Sequence, residues 1–438
     1  MATEVQQLEL GAEVAEYFTR RPGVEFVGFA GLGRHGGALI LDEKEDGRLL
    51  RKLVIKYSLG TLSSDERSNA DDDLRNEYRC LQMLAGAEHI VQLVPFADCS
   101  LHLPGISDGE DTYYDALESM ADIQLAQDRE GETSARGATL TKQPLSVRKC
   151  PTFALEYLPY GTLLQFVRRL EPHAQLIPNR VMWRIWLCMV RQCVAMAFPP
   201  QQSQGNHRAG RERFIPNTEF FTLTQNSSHM ANFVFASESM LFPDSDHDPH
   251  MPPVKYVNPG DVFPFPSQLL GYQLCSLVTK LIDFGRGHVE DPAEFEADGL
   301  PNAYECGARL NLWGAARVMG QVACPLADDD ELENDHPRAY HYLEDGVERM
   351  VITDAPPAVR LSGEMDLALR DTIARCMAVD LVDIPPLEEV LAEAEEQVET
   401  RGPGDNPYLE DVMNVDETDR YIRLFLHRFI YNVPERRR

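Results

Sequence analysis

Apolar residues recur along this chain in two rhythms. Between residues 24 and 57 they come in short runs broken by glycine or charge, so Val24 to Phe29, Ala38 to Leu41 and Leu49 to Tyr57 read as strands. Glu43 to Gly47 reads as the turn between the last two. From Asp71 the spacing changes to threes and fours, with Leu74, Tyr78, Leu81 and Leu84 predicting a helix. His89 to Leu93 reads as a strand or strand entry, and Pro151 to Leu158 as an apolar strand before Gly161 and a new helix. Val181 to Phe198 is the most apolar long segment and predicts a helix. Arg184 and Arg191 interrupt it, so it is too polar and too short for a membrane span. Leu367 to Cys376 and Pro386 to Val398 read as later helices, and Thr418 to Tyr431 as an amphipathic one. Residues 106 to 148 are acidic and without periodicity, which predicts an inserted surface loop.

Size and charge narrow the classes. A chain of 438 residues with 43% hydrophobic content can bury a substantial core, as two or three domains or one large two-lobed unit. Its 70 acidic residues against 41 basic ones give −29, a field that repels phosphate backbones and disfavours nucleic-acid binding. The nine cysteines are scattered singly, with no C-x-x-C pair and an odd count, which reads as reduced intracellular thiols rather than a disulfide frame or zinc site. The first residues lack the basic-then-apolar layout of a secretory signal, so a cytoplasmic or nuclear location is expected.

Four motifs carry candidate chemistry. The first strand enters Gly31-Leu32-Gly33-Arg34-His35-Gly36, a G-x-G-x-x-G sequence that also opens dinucleotide-binding folds. A dinucleotide site needs a helix after the glycines. Here a β-like segment follows, and strand, glycine turn, strand makes a flap that lays backbone N–H groups over phosphates. The returning strand carries Leu53-Val54-Ile55-Lys56, and a lysine so bracketed needs an anionic partner. Glu77, 21 residues on and beside the apolar helix stripe, is either that partner or part of a solvated face. A pair would hold the lysine for ATP's phosphates. Leu155-Glu156-Tyr157-Leu158 ends a strand before a helix and suits a hinge, where backbone groups from Glu156 to Leu158 can meet an adenine edge. Finally, Lys280-Leu281-Ile282-Asp283-Phe284-Gly285 runs an apolar strand into Asp-Phe-Gly, and its carboxylate can hold a magnesium ion against phosphates.

In this order the features resemble the protein kinase fold, in particular the divergent kinase-like proteins common in filamentous fungi, from Phe26 to Glu396. The resemblance implies an α+β bilobal architecture. A β-rich N-lobe with one main helix would span 1–157, and a mostly helical C-lobe 158–438. Insertions would fall at 106–148, 199–222 and 238–273, with a C-terminal extension over 400–438. It implies ATP and Mg²⁺ as cofactors. Gly31, Gly33 and Gly36 would cover the phosphates, Lys56 would contact them, and Glu77 would clamp Lys56. Asn232 and Asp283 would bind the metal, and Ala38, Val54, Leu155, Glu156, Tyr157, Leu158 and Val234 would line the nucleotide pocket.

The catalytic loop departs from the family. Gln225 to Phe235 occupies the place of H-x-D-x-x-x-x-N and its trailing apolar strand, with Gln225 for the histidine and Ser227 for the proton-accepting aspartate. Losing a positioned general base costs roughly 10²–10⁴ in rate. His247-Asp248 is no substitute, because it lacks an asparagine five residues on. His229 stands where the family has a cation near the transferred phosphate, and it reads equally as a loop histidine without a chemical role. Between Asp283 and Asn311 there is no serine or threonine, and Tyr304 is the only hydroxyl. The alanine-proline-glutamate anchor is not visible and its arginine is replaced by Ile384, so both ends of that ion pair are expected to be lost together. Asn311-Leu312-Trp313-Gly314 stands for D-x-W-x-x-G.

Three functions remain in view. One is a nucleotide-binding pseudokinase that scaffolds or regulates a protein partner. Another is an active atypical Ser/Thr kinase with a protein substrate, since positioning and electrostatics supply most of phosphoryl-transfer catalysis. The third is an interaction protein that has lost nucleotide binding, and the retained Lys56, Glu77, Asn232 and Asp283 weigh against it. The acidic insertions are either docking sites for basic partners or solvated loops.

Overall fold

The computed structural model describes residues 4–33, 36–59, 64–97, 99–102, 151–200, 212–215, 220–221, 223–237, 277–290, 303–325, 336–344, 346–362, 365–402 and 417–432. The insertions expected at 106–148 and 238–273, His247-Asp248, most of 199–222 and residues 403–416 of the C-terminal extension lie outside them.

Helix α1 (Glu4–Thr19) precedes an antiparallel sheet of β1 (Val24–Leu32), β2 (Gly36–Glu45), β3 (Arg48–Ser58) and β4 (Thr152–Glu156), paired in that order. Asp46 and Gly47 have φ of 51° and 77°, so a two-residue turn matching the strand twist joins β2 to β3. The turn expected over Glu43 to Gly47 is therefore shorter, and both strands are longer. Strand periodicity sends Leu53, Ile55 and Tyr57 to one face, where they pack with Leu39, Leu41, Val14 and Phe18. Val54 and Lys56 fall on the other face, with Ala38 opposite Lys56 and Leu155 opposite Val54. Helix α1 was not foreseen, so among the described residues the N-terminal part carries a further helix beside the expected one.

The second is α2 (Ser64–Met83), which starts ahead of Asp71 because its first residues are polar and carry no stripe to read. The segment at 89–93, expected as a strand or strand entry, forms no continuous strand and meets its neighbours through two isolated bridges, Ile90 to Leu281 and Leu93 to Leu155. Gln92 explains this. Its side chain accepts from Gly86 N at 2.7 Å and donates to Ala87 O and Ile90 O at 2.9 Å, fixing a loop instead.

The remainder is mostly helical. Helix α3 (Leu163–Leu170) starts at a capping box in which Thr162 and Gln165 satisfy each other's backbone N–H. Helix α4 (Asn179–Ala197) is buried along almost its whole length and runs through the core against α5 (Cys306–Ala323) and α7 (Leu387–Thr400), with α6 (Leu367–Cys376) packed on α5. Its interrupting arginines find partners inside the fold: Arg184 Nε donates to Leu277 O at 3.1 Å and Arg191 pairs with Glu395 at 2.9 Å, although Arg191 Nε itself has no hydrogen-bond partner among the described residues. No helix among the described residues is long and apolar enough to cross a membrane. Helix α8 (Asp419–Leu426) continues as a π-helical turn to Tyr431, whose ring meets Tyr160 at 4.9 Å. Short antiparallel pairs complete the fold: β5 (Leu223–Gln225) with β8 (Gly287–Val289), β6 (Phe233–Ser237) with β7 (Leu277–Leu281), and β9 (Arg338–Glu344) with β10 (Val347–Thr353). The architecture is thus α+β, a small N-terminal sheet followed by helices.

Candidate functional site

Three segments distant in sequence converge where β3, α2 and the loop after β7 meet. Lys56 Nζ lies 2.6 and 2.5 Å from the two carboxylate oxygens of Glu77 and 3.1 Å from Asp283 Oδ1. Strand alternation aims Lys56 away from the Leu53, Ile55 and Tyr57 core, and α2 presents Glu77, 2% exposed, to meet it. Burial alone would lower the lysine's proton affinity, yet the two carboxylates outweigh it and hold Lys56 above its ordinary pKa. Burial would likewise raise Asp283, but the Lys56 ammonium, helped by His229, keeps its carboxyl below the usual value. Both groups are therefore charged at neutral pH.

Asp283 has φ of 67°, a left-handed conformation that an aspartate adopts at a cost of about 1 kcal/mol. Its neighbours hold it there. Gln225 Nε2 donates to Asp283 O at 3.0 Å, and Phe284 is fully buried in the core. Asn76, next to Glu77 on α2, donates to Gly285 O at 3.1 Å and Gly287 O at 2.7 Å. One turn of α2 thus fixes both the lysine and the aspartate's loop. Sequence reasoning missed Asn76, because a polar residue beside an apolar stripe looks solvated.

Asn232 sits on the adjacent segment, where Ile282 N donates to Asn232 O at 2.9 Å. Its Nδ2 is committed to Ser227 O at 2.8 Å, which leaves the amide oxygen for a cation. Ser227 N donates to Gln225 Oε1 at 3.3 Å, so the serine position is held by the glutamine side chain. Asn311 fastens the same stretch, accepting from Gln225 N at 3.0 Å and donating to Leu223 O at 2.7 Å. An amide serves there because the position must both accept and donate. His229 is exposed beside the loop.

The glycine segment closes through Gly33 N to Gly36 O at 2.8 Å. A Cβ added at Gly31 would meet nothing within 4 Å, and one at Gly33 only Gly36 O at 3.4 Å. No crowding among the described residues demands glycine at Gly31. Close approach of a ligand to the backbone would.

At the proposed hinge, Val234 bridges to Thr162 just beyond Leu158, which brings it close to the hinge segment along with Leu155. Tyr157 lies under Lys52, whose Nζ is 5.6 Å from the ring. The Glu156 side chain has a role the sequence did not disclose: its Oε1 accepts from Lys280 Nζ at 2.6 Å and Gln92 N at 2.8 Å. Lys280 has no exposed surface, so this pair ties β4 to β7 through a buried charge.

At the corner of Ile384, where no loop arginine stands, Glu305 and Arg309 form an ion pair four residues apart at 2.9 Å. Arg309 also donates to the carbonyls of Leu381, Val382 and Ile384. The arginine comes from α5 rather than from the loop before Pro385, which sequence position alone could not show.

No protein-family model matches the chain, and no curated protein is similar to it in sequence.

Proposed function

We propose that this chain is a kinase-like nucleotide-binding protein that holds Mg·ATP between its N-terminal sheet and its helical part, with phosphoryl transfer weak or absent. The observation that carries this reading is the contact of Lys56 with both Glu77 and Asp283, at 2.5 and 3.1 Å, across segments with no local reason to meet. Lys56 would face the phosphates, the backbone from Gly31 to Gly36 would cover them, and the main chain from Glu156 to Leu158 would meet the base. Hard oxygen donors suit magnesium, and Asp283, 42% exposed, together with the Asn232 amide oxygen supplies them. Bound magnesium would neutralise phosphate charge. Ser227 cannot take a hydroxyl proton at neutral pH, and a lost general base costs roughly 10²–10⁴ in rate. The role that remains is regulation or scaffolding of a protein partner.

A second reading, an active atypical kinase, is favoured by the assembled Lys56–Glu77–Asp283 arrangement with His229 close enough to influence Asp283. A thermal-shift titration tests the shared premise. ATP with magnesium should raise the melting temperature of wild type, and Lys56→Ala or Asp283→Ala should remove the rise. An unmoved melting temperature at millimolar ATP overturns both readings. Transfer of the γ-phosphate by wild type, absent in Asp283→Ala, would select the second.

A further inference from the structure

Away from Lys56, the turn after α2 carries a buried cluster that the nucleotide reading does not use. Glu212, from the segment between α4 and β5 expected as a polar insertion, is packed into the interior instead. Its Oε1 accepts from His89 N at 2.7 Å and its Oε2 faces His89 Nδ1 at 2.6 Å. Both side chains are 1% exposed. Glu88 adds a second carboxylate and is 4% exposed. One ligand atom from each of Glu88, His89 and Glu212 lies within 4.8 Å of the other two.

Two features of this cluster ask for something more than a proton. The Glu88 carboxylate has no hydrogen-bond or ion-pair partner among the described residues, although it is nearly enclosed. His89 Nε2 is enclosed with no partner at ordinary hydrogen-bond geometry among the described residues, although the Cys188 thiol, which donates to Leu277 O at 3.7 Å, lies near enough to raise the imidazole's proton affinity. A protonated imidazole offsets one of the two carboxylates and leaves the other without a countercharge among the described residues. A divalent cation beside a neutral imidazole offsets both.

The ligand types narrow the ion. One imidazole nitrogen with two carboxylate oxygens suits zinc and its transition-metal neighbours, whereas calcium and magnesium take six or more oxygens. Tetrahedral zinc with bonds of about 2.0–2.1 Å sets its ligand atoms about 3.3 Å apart. The Nδ1 to Oε2 distance of 2.6 Å would then open by about 0.7 Å, and the Glu88 oxygen, within 4.8 Å of the other two ligand atoms, would close onto the ion. We propose that Glu88, His89 and Glu212 form a structural site for a divalent transition metal, zinc first among candidates, which pins the segment carrying Glu212 to the turn after α2. This site stands independently of nucleotide binding.

The test uses the full chain, stripped with chelator and returned to buffer free of nucleotide and magnesium. Zinc titrated calorimetrically should bind at one equivalent and raise the melting temperature, and cobalt in its place should give visible d–d absorption. Glu88→Gln keeps the side chain's size and removes a charge with no partner, so it should fold, yet bind zinc at least about tenfold more weakly. Asp283→Ala should bind zinc as wild type does, which separates this site from the nucleotide site. Failure of wild type to bind zinc would reduce the cluster to a proton-bridged pair. Unchanged binding in Glu88→Gln, or lost binding in Asp283→Ala, would place the metal elsewhere and overturn the assignment.

Discussion

The Lys56–Glu77 pair can be weighed by a double-mutant cycle that needs no ligand. Lys56→Met removes the ammonium and strands a carboxylate that is 2% exposed. Breaking a buried pair in this way costs about 3–5 kcal/mol. Glu77→Leu strands a lysine that is 18% exposed and keeps Asp283 at 3.1 Å, so it should cost less, about 2–3 kcal/mol. The double variant replaces the pair with apolar side chains of similar volume. Asp283, 42% exposed, can hydrate once the lysine is gone. Such replacements are close to neutral, so the double should lie within about 1 kcal/mol of wild type. The two single costs then exceed the double's by several kcal/mol, far beyond the about 0.5 kcal/mol scatter of independent sites. Urea denaturation followed by circular dichroism, in buffer free of magnesium and nucleotide, measures all four proteins. If the single costs simply add to give the double, the two side chains do not meet and the convergence of β3, α2 and the Asp283 loop is wrong.

Other consequences can be measured as directly. Asn76→Leu forfeits the bonds to Gly285 O and Gly287 O, costs about 1–3 kcal/mol, and should speed amide exchange over residues 283–287; unchanged exchange there would deny it a positioning role. Glu156→Gln leaves the fully buried Lys280 without a countercharge and should destabilise by about 3–5 kcal/mol, with Glu156→Gln/Lys280→Met recovering most of it in thermal melts. Burial holds the Glu393 carboxyl above its ordinary 4.5, against the pull of the Thr372 hydroxyl and Arg375. An acid raised in the folded state stabilises most when protonated, and that contribution fades as pH climbs through the raised value. Glu393→Gln should therefore gain on wild type in melting temperature between pH 4.5 and neutrality, and a constant gap would contradict this.

The sequence was most legible where one physical demand acted on one residue. The two-residue period of β3 put Lys56 opposite an apolar face, and the stripe of α2 placed Glu77 within reach, so this ion pair was foreseeable. The helices at α4, α6 and α7 announced themselves through dense apolar spacing. Contacts made by side chain to distant backbone left no such trace. Asn76 reaches carbonyls 209 and 211 residues away, and nothing local distinguishes it from a solvated asparagine. Glu212 looked like part of a polar insertion because its partner, His89, lies 123 residues earlier. Gln92 turned a predicted strand into a loop by bonding to its own neighbourhood, a competition that β-propensity cannot register. The β9–β10 hairpin was missed because its apolar residues fall on both faces, with Leu343 and Met350 exposed and Tyr340 and Val351 buried.

Gln225 carries one last implication. It links Asp283's carbonyl to the Ser227 loop through an amide, where the kinase pattern would put an imidazole. An imidazole changes its donor count as it titrates near neutrality, and an amide does not. The brace beneath the aspartate is accordingly indifferent to acidity over the range in which cells vary, so any pH response of this protein must originate in other groups.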